Sequence, residues 1–358
     1  MTREMHISEP DLRVLAEDLV RGGTRLIGPA RPPGKDGAVV YREVKGLDEI
    51  VLVGDPPARS LKEFFLPPTE VLFTYRQKQG DVELAPAPHV FPPQVVLGAR
   101  PCDAAAVSVV DKVMDWDYHD ELWFGRRQAT TIVSVACSGG DASCFCTAVG
   151  LAPDVAKGSD VLLVPVEGGF HAEILTEKGE VFVAAHATRF AAGGRSEAAM
   201  AYRAAARGKA EANLRTDPAK IRAFLESSFE HPIWEGIALR CHGCGACAFV
   251  CPTCHCFDIV DEAESVATGA RRRNWDTCQT AKFTLHGSGH NPRKGQDCRI
   301  RQRLMHKFAI YPGRFQEILC TGCGRCVRIC PGGMDLLEML DRIGREPAAP
   351  GEAGRGAP

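Results

Sequence analysis

The sequence predicts two domains, an α/β domain at the N-terminus and a mainly helical, cysteine-rich domain at the C-terminus. Helical and strand-like patterns alternate over residues 1–190, which is typical of an α/β fold. Twelve of the sixteen cysteines lie between Cys241 and Cys330. With 358 residues, the chain is long enough for both domains to have cores of ordinary size.

The elements of the N-terminal domain follow from short patterns. Helical periodicity predicts helices over Asp11–Arg21 and Cys102–Met114. Residues 170–185 predict a hairpin whose turn is Lys178–Gly179. Runs rich in β-branched and aromatic residues predict strands at residues 37–44, 70–77, 93–99 and 130–136.

The remaining chain divides by composition. Residues 191–235 are rich in Ala and Arg and predict a helical bridge, in which a new helix begins at Asp217-Pro218. The cysteine-rich domain takes residues 236–343. The tail, residues 344–358, is rich in Pro, Gly and Ala and lacks large apolar groups, so we expect it to be disordered.

Composition excludes several classes of partner. The net charge of −2 gives no broad attraction to nucleic acid or to an acidic membrane surface. The N-terminal residues carry charges throughout, unlike a secretory signal, and no apolar stretch approaches the roughly 20 residues that cross a bilayer. We therefore expect a cytoplasmic protein with no membrane span and no nucleic-acid partner.

Two cysteine runs share the spacing Cys-x-x-Cys-x-x-Cys-x-x-x-Cys-Pro. A reducing cytosol does not support a disulfide framework, so clustered cysteines indicate metal binding or redox chemistry. The first run contains Cys241, Cys244, Cys247 and Cys251, and the second contains Cys320, Cys323, Cys326 and Cys330.

This spacing suits [4Fe–4S] cubanes, because two intervening residues let consecutive thiolates reach different irons. Glycines such as Gly243 and Gly322 allow the tight turns. In two-cluster ferredoxins the fourth cysteine of each run binds the other cluster. That rule assigns cluster 1 to Cys241, Cys244, Cys247 and Cys330, and cluster 2 to Cys320, Cys323, Cys326 and Cys251. Structural zinc sites are the alternative, but they usually combine two separated cysteine pairs.

Helical patterns flank the second run at residues 300–318 and 335–343. The gap between the runs, residues 252–319, is longer than a compact bacterial ferredoxin needs. Both observations favour the helical type of two-cluster ferredoxin domain over the small β-hairpin type.

Four further cysteines follow the ends of predicted strands. Such ends meet at one edge of an α/β sheet, where these folds place ligands, so a third [4Fe–4S] cluster is predicted. The alternative is a set of thiols buried near a domain interface, since Cys-x-Cys is a less specific spacing. The four residues are Cys102, Cys137, Cys144 and Cys146.

Three cysteines, Cys254, Cys256 and Cys278, are one short of a conventional cubane. We therefore expect them to have a structural role or to line the surroundings of cluster 1, with a further site as the alternative, whereas Cys298 has no assigned role. The basic run Arg271–Arg273 predicts a solvated loop, with docking of an acidic partner as the alternative. No G-x-G-x-x-G follows a strand and no P-loop motif occurs, so nothing supports a nucleotide or flavin site.

The motifs GARPCDAAA, ACSGGDASCFCTAVG, CHGCGACAFVCPTCHCFD and CTGCGRCVRICP together resemble the iron–sulfur β subunit of cytoplasmic sulfhydrogenases. They equally resemble the dicluster iron–sulfur component of anaerobic sulfite reductases, and the resemblance runs from about Leu61 to Leu340. It implies electron relay between two other subunits, one flavin-bearing and NAD(P)H-linked, the other catalytic. It also implies that the eight run cysteines are cluster ligands and that the four N-terminal cysteines match a family pattern, to which Cys298 does not belong.

The leading hypothesis is therefore an electron-transfer subunit with no catalytic residues of its own. It would carry two [4Fe–4S] clusters, or three if the N-terminal cysteines bind one. The alternative is a reductase that acts on a sulfur substrate at an open iron near Cys254, Cys256 and Cys278. A flavoprotein partner is also expected on chemical grounds, because NAD(P)H gives up two electrons and the clusters accept one.

Overall fold

In the computed structural model, the described residues are 3–34, 37–54, 56–210 and 216–347. The strands are β1 (Arg3–Ser8), β2 (Arg25–Ala30), β3 (Val40–Glu43), β4 (Thr69–Lys78), β5 (Asp81–Pro86), β6 (Gln94–Ala99), β7 (Thr130–Val135), β8 (Val161–Val166), β9 (Gly169–Ile174), β10 (Ala191–Ala192), β11 (Phe257–Ala263) and β12 (Thr268–Trp275). The helices are α1 (Glu9–Arg21), α2 (Pro101–Met114), α3 (Glu121–Ala129), α4 (Glu177–Ala185), α5 (Glu197–Lys209), α6 (Pro218–Ser227), α7 (Ile233–Ala238), α8 (Ala246–Phe249), α9 (Gln296–Met305), α10 (Tyr311–Phe315), α11 (Arg325–Arg328) and α12 (Leu336–Arg345). A π-helical turn, His306–Ile310, joins α9 to α10.

The N-terminal region is organised around an eight-stranded sheet with the order β10-β1-β9-β8-β7-β6-β2-β3. The four central strands, β8, β7, β6 and β2, are parallel, and the outer pairs are antiparallel. Because β6 and β7 run in the same direction, the segments that leave their carboxyl ends emerge at the same edge. Those segments carry Cys102 and Cys137.

Helices cover both faces of this sheet. On one face, α1 and α4 pack through Leu15 and Val183 against Val95. On the other, α2 packs through Val107 against Val96. The alternation of Val95 and Val96 between the faces follows from the two-residue period of a strand. The prediction of an α/β N-terminal region is therefore confirmed.

The predicted hairpin at residues 170–185 is wrong in its second half. The segment continues from β9 into helix α4, because the side chain of Thr176 accepts a hydrogen bond from Gly179 N and caps the helix. The negative charges of Glu177 and Glu180 in the first turn interact favourably with the positive end of the helix dipole and so stabilise the helix. Strand β9 pairs instead with β8 and β1.

A second, antiparallel sheet has the order β11-β12-β4-β5 and joins the two halves of the chain. The basic run Arg271–Arg273 lies on its inner strand β12 and not in a solvated loop. Arg273 is buried, with Nη2 2.6 Å from Glu70 Oε2, and also pairs with Asp120. These ion pairs fix the β11–β12 hairpin to the N-terminal region.

The C-terminal region combines helices with this hairpin. Its apolar core includes Phe224, Trp234, Leu304 and Leu340 from α6, α7, α9 and α12. The helices predicted around the second run are present, and α12 ends at Arg345, two residues into the predicted tail. The rest of that tail, from residue 348, lies outside the described residues. None of the described helices combines the length and apolar character that crossing a membrane requires.

Candidate metal centres

The two cysteine runs fold into similar loops. In each, a glycine with positive φ precedes a four-residue helix that carries the third cysteine; the glycines are Gly245 (φ 76°) and Gly324 (φ 69°). A Cβ on Gly324 would lie 2.5 Å from Ser143 O. Glycine is therefore required there both for its backbone conformation and for the close approach of the chain.

The four predicted ligands of cluster 1 line one cavity, and Cys326 also reaches its wall. Cys330 comes from the second run, so the fold brings the two runs together. Gln296 Nε2 lies 3.1 Å from Cys241 Sγ, and Met334 N lies 3.3 Å from Cys330 Sγ. Such N–H donors to sulfur are typical of cluster surroundings.

The predicted ligands of cluster 2 are more deeply buried. Burial raises the pKa of the Cys320 thiol to about 11 and that of Cys326 to about 12, and Cys251 is an electrostatic neighbour of both. Metal binding at these sulfurs would therefore displace protons. Thr321 Oγ1, between Cys320 and Gly322, is buried and has no hydrogen-bond partner among the described residues. A hydroxyl in that position suits a hydrogen bond donated to a sulfur of the cluster.

Three buried cations lie near the predicted ligands of cluster 2, and one of them, Arg303, also lines the cavity of cluster 1. Lys307 Nζ is 3.5 Å from Cys251 Sγ and 2.8 Å from Leu319 O. Arg303 Nη1 is 3.3 Å from Cys254 Sγ, and Lys62 Nζ is 3.9 Å from the centroid of a tryptophan ring. Within the described part of the chain, none of the three has a carboxylate within salt-bridge distance. The sequence patterns gave these cations no role, although two of them fall in the helical pattern before the second run.

The four N-terminal cysteines also line a single cavity. Gly139 and Gly140, both with positive φ, form part of its wall, and a Cβ on Gly140 would lie 2.7 Å from Cys144 Sγ. Burial raises the pKa of the Cys144 and Cys146 thiols to about 11. The convergence predicted for strand ends is thus observed, and the donor set suits a cubane.

A buried ion pair joins this cavity to the second run. Arg325 Nη1 and Nη2 each lie 2.7 Å from a carboxylate oxygen of Asp103, the residue after Cys102. Tyr41 donates a hydrogen bond to the same carboxylate at 2.9 Å. The backbones of the two regions are also bonded, since Phe145 N lies 2.7 Å from Gly322 O. No sequence pattern indicates the ion pair, because its partners are 222 residues apart.

The sulfur positions bear on the zinc alternative. Four thiolates on one tetrahedral zinc would lie about 3.8 Å from one another, given Zn–S bonds of about 2.3 Å. Among the described residues, the one group of three ligand atoms mutually within 4.8 Å is Glu4, His171 and Glu173, and it contains no cysteine. No three described cysteine sulfurs are therefore grouped as closely as a single tetrahedral zinc requires.

The remaining cysteines occupy two different settings. Cys254, Cys256 and Cys278 lie near the base of the β11–β12 hairpin. Cys298, in the first turn of α9, has its Sγ 3.4 Å from Asp297 Oδ2.

Comparisons with known proteins agree with these features. A family model described as a 4Fe-4S dicluster domain matches residues 240–334. The chain is 27% identical over 326 residues to sulfhydrogenase 2 subunit beta of Pyrococcus furiosus, a match that covers 89% of this chain and 92% of that protein. The predicted resemblance to a sulfhydrogenase β subunit and the prediction of a two-cluster iron–sulfur domain near the C-terminus are confirmed. The chain is therefore an iron–sulfur electron-transfer protein with a 4Fe-4S dicluster domain, similar over most of its length to a sulfhydrogenase β subunit.

Proposed function

We propose that this protein relays single electrons between two partner subunits, one flavin-bearing and NAD(P)H-linked, the other a catalytic subunit of the hydrogenase or sulfite reductase type. Two clusters bound with crossed ligation and a third bound by Cys102, Cys137, Cys144 and Cys146 form the path. The domain of residues 1–190 serves as the docking platform, and the helical two-cluster domain of residues 236–343 holds the other two clusters.

The position of the second run carries this proposal. Cys323 lines the N-terminal cavity, whereas Cys326 lines the cavity of cluster 1. Cluster 2, bound by these two residues, would thus lie between the other two clusters. A linear series of iron–sulfur clusters suits electron transfer through a protein better than it suits catalysis at one cluster.

Residues of this chain would control the access of water to the clusters and the hydrogen bonds to their ligands. Apolar side chains such as Met334 and Leu336 exclude water from cluster 1, while Lys307 and Gln296 donate hydrogen bonds to ligand sulfurs. Burial and hydrogen bonding set the reduction potentials of such clusters. The clusters, when bound, supply reversible one-electron redox chemistry.

The relay is tested by anaerobic reduction of the purified, flavin-free chain. NADH or NADPH alone should leave the visible absorption of the clusters unchanged, because the nicotinamide needs a flavin to split its electron pair. Addition of the flavoprotein subunit should bleach the absorption. Rapid bleaching by nicotinamide alone contradicts the relay, as does turnover of polysulfide or sulfite by the isolated chain.

The third cluster is tested separately by Cys137→Ser/Cys146→Ser in the full chain. About four irons should be lost relative to the parent, and the spectra of the other clusters should be unchanged. Cys298→Ser is the matched control, because this cysteine lies outside every predicted set. An iron content equal to that of the parent would remove the third cluster from the path.

A further inference from the structure

Two neighbouring strands of the N-terminal sheet carry matching pairs of glutamate and histidine. Glu4 and His6 lie on β1, and His171 and Glu173 lie on β9. In the antiparallel register Glu4 is opposite Glu173, and His6 is opposite His171. Because residues two apart on a strand share a face, all four side chains lie on the same face of the sheet. Met5, between the two residues on β1, belongs to the apolar core on the opposite face.

Three of these side chains converge. One ligand atom each from Glu4, His171 and Glu173 lies within 4.8 Å of the other two, and His171 Nε2 is 3.9 Å from Glu173 Oε1. The ligand atoms of a tetrahedral zinc ion lie about 3.4 Å apart, given bonds of about 2.0–2.1 Å. Rotation about the glutamate χ angles is sufficient to close this difference. The three side chains are therefore within reach of one ion.

The imidazole of His171 lacks the partner that a buried ring needs. Its side chain is 7% exposed, and its ring nitrogens have no hydrogen-bond partner among the described residues. The contact with Glu173, at 3.9 Å, is too long for a hydrogen bond. Buried polar side-chain atoms are normally bonded, so an unpartnered ring aimed at two carboxylates requires an explanation. A metal ion between them supplies the partner.

The charges around this group also favour a cation. Like charges directly opposite each other on antiparallel strands are destabilising, and Glu4 and Glu173 are such a pair. Arg203 pairs with Glu173 at 2.7 Å and with Asp154 at 3.4 Å, and Arg207 pairs with the same aspartate at 2.7 Å. Glu4 has no ion-pair partner in the part of the chain that the structure describes. Three carboxylates thus share two guanidinium groups, which leaves one negative charge uncompensated.

The ion pair with Arg203 is compatible with metal binding by Glu173. A carboxylate has two oxygens with about four lone-pair sites, and metal-bound carboxylates are usually hydrogen-bonded to a neighbouring residue as well. Although Arg203 Nη2 lies 2.7 Å from Glu173 Oε1, it has no well-directed hydrogen-bond partner among the described residues. The guanidinium therefore compensates charge without fixing the orientation of the carboxylate.

One imidazole and two carboxylates form a ligand set that suits zinc, with water as the fourth ligand. We propose that Glu4, His171 and Glu173 bind one zinc ion on this face of the sheet. The ion offsets the repulsion between the opposed glutamates and joins β1 to β9 through their side chains. The N-terminal strand is thereby tied to a strand that follows it by more than 160 residues.

Zinc binding is measured by isothermal titration calorimetry with zinc chloride. The full chain is purified anaerobically with its clusters and dialysed against EDTA. The parent should bind one more equivalent of zinc than Glu4→Gln/His171→Gln, which removes two of the three ligands. Asp115→Asn/His119→Gln is the matched control and should bind as much as the parent. It removes an exposed carboxylate–imidazole contact of 2.6 Å that has no third ligand among the described residues. Equal zinc binding by the parent and Glu4→Gln/His171→Gln overturns the proposal.

X-ray absorption at the zinc edge remains decisive if the double variant fails to fold, which a loss of iron would reveal. The parent, loaded with one equivalent of zinc, should show only nitrogen and oxygen neighbours, at about 2.0–2.1 Å. Sulfur neighbours at about 2.3 Å would place the ion on cysteines and overturn the proposal. This measurement also excludes the cysteine sets as the source of the calorimetric signal.

Discussion

The two cysteine runs have identical spacing but lie in different surroundings. In the first run Cys244 is exposed, and the side-chain donor to Cys241 is the neutral amide of Gln296. Among the predicted ligands of cluster 2, Cys251 and Cys323 are buried, and the hydrogen-bond donor to Cys251 is the ammonium of Lys307. A nearby positive charge stabilises the more negative, reduced state of a cluster. Arg303 lies near both clusters, because it lines the cavity of cluster 1 and its Nη1 is 3.3 Å from Cys254 Sγ, so the difference rests on the direct contact between the Lys307 ammonium and Cys251. That contact should give cluster 2 the higher potential.

The largest expected effect concerns which cysteines belong to which cluster. Cys330→Ala should remove cluster 1, because Cys330 lines the cavity of the first run although it belongs to the second. The remaining EPR signal should match that of Cys241→Ala. A match with Cys320→Ala instead would contradict crossed ligation.

The next effect concerns the contact between the N-terminal cavity and the second run. Arg325→Met leaves the Asp103 carboxylate buried without its cation, which costs about 3–5 kcal/mol and lowers the Tm by about 10 °C. The control is Arg222→Met, which removes an exposed ion pair with Glu226 worth about 0.5 kcal/mol. Equal Tm values for the two variants in differential scanning calorimetry would show that the buried pair contributes no more than a surface pair.

A smaller effect sharpens the comparison of potentials. Lys307→Met removes a charged hydrogen bond to Cys251 and should lower the potential of cluster 2 by about 60 mV, the equivalent of about 1.5 kcal/mol for one electron. Lys307→Arg keeps the charge and is the matched control. EPR-monitored redox titration measures both, and a shift confined to cluster 1 would contradict the assignment of Lys307.

The smallest effect belongs to the neutral donor. Gln296→Leu should lower the potential of cluster 1 by about 20 mV, because a neutral hydrogen bond contributes less than a charged one. The same titration measures this shift. A decrease as large as that of Lys307→Met would mean that charge does not distinguish the two environments.

Local sequence was sufficient for the cysteine loops and for several elements. The loops that begin at Cys241 and Cys320 could be predicted from the spacing of neighbouring cysteines. Helix α2 could be predicted from the apolar periodicity within its own range. Strand-end positions also placed Cys102 and Cys137 at one edge of the sheet. These features depend on contacts within a few residues or on a general rule of α/β topology.

Long-range contacts account for what the sequence did not predict. The Asp103–Arg325 pair and the approach of Lys62 to Ala248 O, 3.2 Å away, join residues far apart in the chain. Arg273 looked like part of a solvated run because Glu70, its partner, lies 203 residues earlier. Lys178–Gly179 resembles a turn in its local sequence, but the helix cap provided by Thr176 places both residues in the first turn of α4.

The shared second sheet has a consequence for biosynthesis. Strand β4 pairs on one side with β5 and on the other with β12, whose residues leave the ribosome nearly two hundred residues later. Until then, the nascent chain has an exposed strand edge that invites pairing with another chain. A fragment ending near residue 190 would keep that edge permanently open. The late hairpin therefore covers an edge of the early half of the chain that would otherwise stay open to other chains.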